Sequence, residues 1–362
     1  MRLRSTSLML RFFWAGFVAV SIAASVFSQS PAPSPKTEAN IDSLSPADLQ
    51  AILPLLKSNF IHPQALSDVE LNRATVVGLL MRLSHGVMLL PNRESPALAG
   101  PESAASFYSE VLDGHVGYLR LGTFNTANLQ AMDKALTDFA SKKVDAMIID
   151  LRASSSPDDF AAAAEFAKRF CPKGKPLFTL RKPGTRQDRV FTSNGQPAFQ
   201  GLITVLADGN TSGAAEALAG TLRLYENGLI IGQTTAGRAV EYSDLPLPSG
   251  KILRVAVAEA VLPGERPLFP DGVNPDLPVE MSMVDKRQIF QRSAEKGMEP
   301  FVYESERPHM NEAALLAGTN PELDAAELAQ RRRERPEKAA LHDVVLQRAL
   351  DLVTSLEVYQ KR

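Results

Sequence analysis

The central part of the chain alternates between two hydrophobic periodicities, and this alternation constrains the fold more than any other feature. Short apolar runs typical of β-strands occupy residues 116–121, 144–151, 202–207, 229–231 and 252–258. Between them, apolar residues recur at helical spacing in residues 126–140, 158–170 and 212–225. Strands that alternate with helices predict an α/β fold, because helices that connect parallel strands cover the faces of the sheet. We therefore expect an α/β core at residues 111–284.

Helix signals flank this core on both sides. Ser45 and Pro46 form a typical helix start, and Ser67 to Glu70 have the spacing of a capping box. Residues 45–90 are therefore predicted to form a small N-terminal helical domain. Residues 339–360 carry apolar side chains on one helical face, which predicts a C-terminal amphipathic helix docked on the core or on a second subunit.

Two segments between these regions have the composition of connections. Residues 91–110 are predicted to be a linker, because three prolines and a glycine lie between residues 91 and 103. Residues 285–338 are polar and charged, and we interpret their basic run as a solvated helix face.

The beginning of the chain resembles a secretory signal. Basic residues precede the uncharged apolar run at residues 12–27, which is shorter than the roughly 20 residues needed to span a bilayer. We expect a signal peptide at residues 1–28 and a Pro/Ser linker at residues 29–44, with export to the periplasm or the exterior. The alternative is an uncleaved membrane anchor formed by residues 12–27.

Charge and cysteine content narrow the function further. The 39 lysines and arginines are balanced by 41 acidic residues, so no basic excess is available to bind nucleic acid. Cys171 is the single cysteine, which excludes an intrachain disulfide. We interpret Asp158 and Asp159 as helix-capping acids rather than metal ligands, and we expect no cofactor and no metal.

Six further segments, in chain order, carry recognisable motifs: residues 78–86, 111–124, 148–152, 203–216, 232–238 and 270–276. Residues 148–152 read Ile-Ile-Asp-Leu-Arg, and residues 203–216 lead from an apolar strand through a polar turn into a helix. Together the six segments resemble the C-terminal processing peptidases, also called tail-specific proteases, which are serine peptidases with a Ser/Lys dyad. The resemblance implies a crotonase/Clp-like ββα core with a small N-terminal helical domain and a C-terminal helix.

The resemblance also implies where the catalytic residues should be. The family nucleophile is the serine three residues before a glutamate that corresponds to Glu216, which places the nucleophile at Gly213. The base lysine corresponds to Arg238, and a family glutamine corresponds to Tyr242. Glycine has no side chain to attack a carbonyl, and a guanidinium with a pKa above about 12 stays protonated. On this alignment both reacting groups are replaced.

Two further departures from the family pattern concern the oxyanion hole and substrate capture. The family has an Asn-Pro-Gly-Gly turn after Asp-Leu-Arg, whereas residues 153–159 contain no glycine and end in two acids, which would repel an oxyanion. Active relatives usually carry a peptide-binding PDZ domain before the core, where residues 91–110 offer only a linker. The resemblance therefore implies a degenerate member that lacks the PDZ domain.

Three functional hypotheses remain open from the sequence. The first is a proteolytically inactive module that binds a peptide or protein partner in the retained cleft. The second is an active serine peptidase with a relocated nucleophile such as Ser212, although this serine also suits a helix N-cap. The third is a small-ligand carrier. A homo-oligomer formed through the terminal helices is a further expectation, and a membrane association is expected only if the signal segment is uncleaved.

Overall fold

The computed structural model describes residues 44–62, 66–91, 107–156, 159–185, 187–225, 228–302 and 341–360. The chain divides into two compact units, residues 1–75 and 76–362. The signal segment, most of the Pro/Ser linker and much of the predicted linker and polar segment lie outside the described residues.

The described part of the first unit consists of helix α1 (Pro46–Asn59) and the beginning of helix α2 (Asp68–Arg82). The predicted helix start at Ser45 is confirmed, because its side chain and that of Asp48 exchange hydrogen bonds with each other's amides. The start of α2 is confirmed as well, since the Ser67 hydroxyl accepts a hydrogen bond from the Glu70 amide at 3.3 Å. Neither helix has a buried residue.

The second unit contains the strands and the remaining helices. Its described strands are β1 (Val87–Leu90), β2 (Tyr108–Leu112), β3 (Val116–Arg120), β4 (Ala146–Asp150), β5 (Ser155–Ser156), β6 (Pro176–Arg181), β7 (Arg189–Thr192), β8 (Leu202–Ala207), β9 (Ser212–Gly213), β10 (Leu229–Gly232), β11 (Val240–Pro246), β12 (Ile252–Leu262), β13 (Arg266–Pro267) and β14 (Leu277–Pro278). Its helices after α2 are α3 (Thr126–Ser141), α4 (Phe160–Ala167), α5 (Ala214–Tyr225), α6 (Met283–Lys296) and α7 (Val344–Gln360). The predicted α/β fold is confirmed.

The main sheet has the strand order β14-β10-β8-β4-β3-β2, and all neighbouring pairs are parallel except β2 with β3. Alternate residues of β4 enter different cores, as the two-residue period of a strand requires. Met147 and Ile149 join the core formed with helices α3, α4 and α5, whereas Ala146 and Ile148 join the core formed with α6 and α7. Burial on both faces explains why this strand is a continuous apolar run.

A second, antiparallel sheet is built around the long strand β12. It has the order β1-β12-β6-β7, and β11 and β13 also pair with β12. Residues 87–90 therefore belong to a core sheet, although the sequence grouped them with the N-terminal helices. Pairing between such distant segments cannot be inferred from local pattern alone.

The predicted domain limits differ from the structure at two further places. Strand β2 begins at Tyr108, inside the predicted linker, and completes the main sheet. Helix α6 begins at Met283, inside the predicted core, and runs to Lys296 within the predicted polar segment, burying Lys286, Ile289 and Ser293. This buried stripe is narrow and only one of its three members is apolar, so it does not stand out in a charged sequence.

The C-terminal helix α7 docks on the core, one of the two partners that the sequence left open. Its buried residues are Val345, Leu346, Ala349, Leu350 and Val353. Within the described ranges, no helix is long and apolar enough to cross a membrane.

Candidate functional site

Two short strands lie together where the central strands of the main sheet end. Strand β5 follows β4 and strand β9 follows β8, and they pair in parallel with Ser155 opposite Ser212 and Ser156 opposite Gly213. The carboxyl ends of parallel strands are the usual place for a binding site in an α/β fold. The structure thus brings the predicted nucleophile position, Gly213, beside the turn that follows Arg152.

The turn that leads into β9 is fixed by hydrogen bonds. The Thr211 hydroxyl donates to the Leu151 carbonyl at 2.9 Å and accepts from the Asp208 amide at 3.1 Å. The Asp208 carboxylate also accepts from the Asn210 amide at 2.9 Å. These bonds hold the ends of β4 and β8 together.

The buried Glu216 carboxylate joins this turn to the loop that carries Arg238. Its Oε1 accepts hydrogen bonds from the amides of Gly213 at 2.9 Å and Arg238 at 2.8 Å. Its Oε2 accepts from the Gly237 amide at 2.8 Å and the Thr235 hydroxyl at 2.7 Å. Burial raises the pKa of Glu216, and these four hydrogen bonds oppose that rise. Positions 213 and 238 therefore lie on either side of one carboxylate oxygen.

Both loops have a glycine in the left-handed backbone region beside Glu216. Gly213 has a φ of 65° and Gly237 a φ of 64°, in the left-handed region that disfavours side chains. A Cβ atom on Gly237 would also lie 2.0 Å from the Pro270 carbonyl oxygen. A serine at position 213 would have to adopt the same strained backbone conformation.

The exposed side chain of Arg238 contacts a histidine from the other end of the unit. Its Nε donates a hydrogen bond to Nδ1 of His85 at 3.2 Å. The Tyr242 hydroxyl donates to the His85 carbonyl at 2.8 Å. Because an Arg N–H can only donate, Nδ1 of His85 accepts through its lone pair. Burial and the charge of Arg238 lower the pKa of His85.

The hydroxyl of Ser212 lies 2.9 Å from the hydroxyl of Ser155. Helix α5 begins at Ala214, so Ser212 lies one residue too early for the predicted N-cap. Within the described ranges, no lysine or histidine hydrogen-bonds to this serine. Among the described side chains, the hydrogen-bond partner of Ser212 is therefore a second hydroxyl.

A buried ionic network lies at the same strand ends. The Arg152 guanidinium binds Asp150 at 2.6 Å and Asp343 of the C-terminal segment at 2.8 Å. Lys286 donates to the Asp208 carboxylate at 2.5 Å and to the Arg152 carbonyl at 3.0 Å. Burial alone would raise the pKa of Asp150, but the charge and hydrogen bonds of Arg152 outweigh it and lower that pKa.

The network borders a cavity of about 10 Å³, which has room for about one water molecule. Arg152, Asp208 and Lys286 contribute to its lining. The roles of Lys286 and Asp343 were not predicted, because both lie far along the chain from the motifs that they support.

Of the two adjacent acids that follow Arg152 in the sequence, the structure describes one. Asp158 lies outside the described residues, and Asp159 occupies the N-cap position of α4 without a side-chain capping bond. Among the described residues, no group of three or more His, Cys, Asp or Glu side chains is placed to hold a metal ion.

Comparison with known proteins places this site in a family context. Residues 115–279 match the model described as peptidase family S41. The carboxyl-terminal-processing protease of Synechocystis sp. is 29% identical over 175 residues, which cover 48% of this chain and 40% of the relative. Carboxyl-terminal-processing peptidase 2, chloroplastic, of Arabidopsis thaliana is 29% identical over 177 residues, covering 48% and 34%.

Among solved structures, the photosystem II D1 C-terminal processing protease is similar with a TM-score of 0.42 at 23% identity, covering 54% of this chain and 53% of that one. The chain spans less than half the length of the two curated relatives.

Proposed function

We propose that this chain, whose residues 115–279 belong to peptidase family S41, is an exported member of the C-terminal processing proteases that binds a peptide or protein partner without cleaving it. One observation carries the proposal. Positions 213 and 238, which correspond to the nucleophile and the base in the family, meet at the Glu216 carboxylate and hold glycine and arginine. No hydroxyl is available at position 213, and a guanidinium cannot accept the proton that a serine nucleophile must lose.

Peptide binding does not depend on the reacting groups. An extended peptide can bind through main-chain hydrogen bonds to the edge of a strand. The chain itself contains strand pairing of this kind close to Arg238. Strand β1 begins two residues after His85, the hydrogen-bond partner of Arg238, and pairs with β12 from Val87–Val255 to Leu90–Ile252. Both edges of β12 are paired there, with β1 and β11, but β1 is the end strand and pairs with β12 alone among the described strands, so the outer edge of β1 is suited to an added extended chain.

The two other hypotheses receive less support. A relocated nucleophile at Ser212 would need a base, and its hydroxyl partner is Ser155. A carrier of lipids or organic ligands would need a cavity, and the cavity beside Lys286 holds about one water molecule.

The test is a reaction of the purified chain with a fluorophosphonate probe and with an unfolded protein substrate. We expect neither labelling nor cleavage, while the Synechocystis relative serves as a positive control. Labelling that disappears in Ser212→Ala would establish the relocated nucleophile and contradict the proposal. Labelling that persists in this variant would indicate another reactive serine and would also count against it.

Export is part of the proposal and depends on the sequence alone. The basic residues and the apolar run at residues 12–27 have the layout of a signal peptide. Residues 1–28 are proposed to direct the folded part to the periplasm or the exterior.

We also propose that the chain associates with a second copy of itself. Large apolar side chains are exposed along α1 and α2, among them Leu49, Leu53, Leu55, Val76, Val77, Leu79 and Met81. Helices of this length are marginal in water without burial of an apolar face. The apolar face of α7 is already docked on the core, so the N-terminal helices are the proposed contact between two copies.

A further inference from the structure

Arg238 is an exposed cation beside the candidate site. Its Nε donates to His85, and Nη1 and Nη2 have no hydrogen-bond partner within the described ranges. His85 accepts as a neutral ring, so it fixes the direction of the guanidinium without neutralising its charge. The two terminal nitrogens present parallel N–H groups, which match the two oxygens of a carboxylate.

Three other arginines of the same unit each have a carboxylate partner. The pairs are Arg181 with Glu259 at 2.6 Å, Arg189 with Glu241 at 2.6 Å and Arg254 with Asp244 at 2.7 Å. Within the described ranges, no carboxylate forms an ion pair with the side chain of Arg238. The residue at the family's base position is thus a cation that the described part of the chain leaves without a counter-ion.

The position of Arg238 connects this cation to the candidate peptide site. Its amide and the Gly213 amide share Oε1 of Glu216, so the loop is held beside strand β9. The Ser212 and Ser155 hydroxyls lie on the same pair of short strands. The Glu216 carboxylate is buried and accepts four hydrogen bonds, which reduces its repulsion of a second carboxylate.

We propose that Arg238 binds a carboxylate of the bound peptide through its two terminal nitrogens, at the place where the family has its catalytic base. This inference rests on the proposed peptide-binding function and adds the chemistry of the ligand to it. The carboxylate can be the C-terminal group of the peptide or the side chain of an aspartate or glutamate.

The test uses the whole chain and fluorescent ten-residue peptides, each synthesised with a free C-terminal carboxylate and as the C-terminal amide. A second set replaces internal Asp and Glu by Asn and Gln. Removal of the bound carboxylate and the variant Arg238→Gln should each weaken binding about tenfold or more, because charge-assisted hydrogen bonds are lost. The effect should shrink as salt rises.

The matched control is Arg189→Gln, which removes an exposed arginine whose partner is Glu241. We expect this variant to bind peptides as the parent does. Arg238→Gln is expected to fold, because the structural hydrogen bond of this residue comes from its backbone amide.

The outcomes separate the carboxylate site from the function on which it rests. Peptides that bind equally well with and without carboxylates, or equally to the parent and to Arg238→Gln, would overturn the carboxylate site and leave the peptide-binding function standing. Absence of binding by every peptide would contradict both. Sensitivity to the C-terminal amide alone, or to the side-chain replacements alone, identifies which carboxylate is bound.

Discussion

At the scale of single residues, the Glu216 carboxylate holds the two loops of the candidate site together. The carboxylate accepts hydrogen bonds from three amides and one hydroxyl on two different loops. None of these contacts requires a side chain at position 213 or a lysine at position 238. The glycine and the arginine at these positions are therefore compatible with the replacement of reacting groups that we propose.

We expect Glu216→Gln to lower the free energy of unfolding by about 2 kcal/mol or more. The amide nitrogen of glutamine replaces one carboxylate oxygen, and each carboxylate oxygen accepts at least one hydrogen bond from a backbone amide, so at least one buried N–H would face a donor. Urea unfolding measures the change. The control is Glu241→Gln on the partly exposed pair with Arg189, for which we expect less than about 1 kcal/mol. Similar losses in the two variants would contradict the role of Glu216.

His85 should make stability depend on pH. Its folded-state pKa is lowered from the ordinary value of 6.5 by burial and by the charge of Arg238. The unfolded chain therefore binds the proton more readily, and the free energy of unfolding should fall as pH decreases from about 6.5 toward the folded-state pKa. Below that pKa the loss is complete.

The variant His85→Gln isolates this contribution. The difference in free energy of unfolding between the parent and the variant should be constant above about pH 7.5 and should shift in favour of the variant as the solution becomes more acidic. Urea titrations at closely spaced pH values measure it, and the values at high pH provide the internal reference. Parallel curves for the two proteins across this range would show that His85 does not titrate differently on folding.

The residues of the candidate site were predictable to different degrees. The resemblance to the C-terminal processing peptidases pointed to positions 213 and 238, and the structure places the amides of both residues at the Glu216 carboxylate. His85 could not be recognised as the partner of Arg238, since 153 positions separate them and no local pattern encodes the contact. Ser212 was considered as a relocated nucleophile or as an N-cap: the first stays a prediction, and the second is wrong because α5 begins two residues later, at Ala214.

At the scale of elements, the buried strands and their helices were predictable from periodicity, whereas the edges of the sheets were not. Strand β4 is buried on both faces and reads as a continuous apolar run. Strand β7 pairs on one side and is largely exposed, so its sequence carries little hydrophobic signal. Strand β1 depends on its pairing with β12, a contact that only the folded chain creates.

The C-terminal helix is tied to the strand ends by charge as well as by apolar packing. Asp343 binds both terminal nitrogens of Arg152, at 2.9 and 2.8 Å, and also accepts from the Leu346 amide in the first turn of α7. Arg152 in turn precedes strand β5 of the candidate site. The helix therefore stabilises the turn from which the site is built.

We expect Asp343→Asn to lower the free energy of unfolding by about 3 kcal/mol, because one partner of a buried ion pair loses its charge. This loss is at the low end of the stability losses that follow removal of one partner of a buried ion pair, since Arg152 keeps its bond to Asp150. Chemical denaturation measures the change. Asp351→Asn, on the exposed side of the same helix, is the matched control and should change stability little. A loss no larger than that of the control would show that α7 is held by apolar contacts alone.

At the scale of the whole molecule, the two units differ in how they achieve stability. Every residue of the two hydrophobic cores lies between Phe107 and Val353, within the second unit. Helix α1 and helix α2 contribute no buried residue and expose large apolar side chains. The second unit contains both hydrophobic cores, and the N-terminal helices expose apolar side chains that a second copy can cover.

Truncation from each end tests this division. A chain that starts at residue 84 lacks both N-terminal helices but keeps His85 and β1, and we expect it to retain a cooperative unfolding transition. It should sediment as a monomer at concentrations where the chain from residue 29 forms dimers.

Removal of residues 341–360 takes away five buried apolar residues and Asp343, and should abolish the cooperative transition. Point variants that place charge on an exposed apolar position of each N-terminal helix, Leu53→Glu in α1 and Met81→Glu in α2, should weaken the dimer while the transition persists. A monomeric chain from residue 29, or an equally dimeric chain from residue 84, would refute association through these helices. Loss of folding in the chain from residue 84 would show that the strands and later helices need the N-terminal helices to fold.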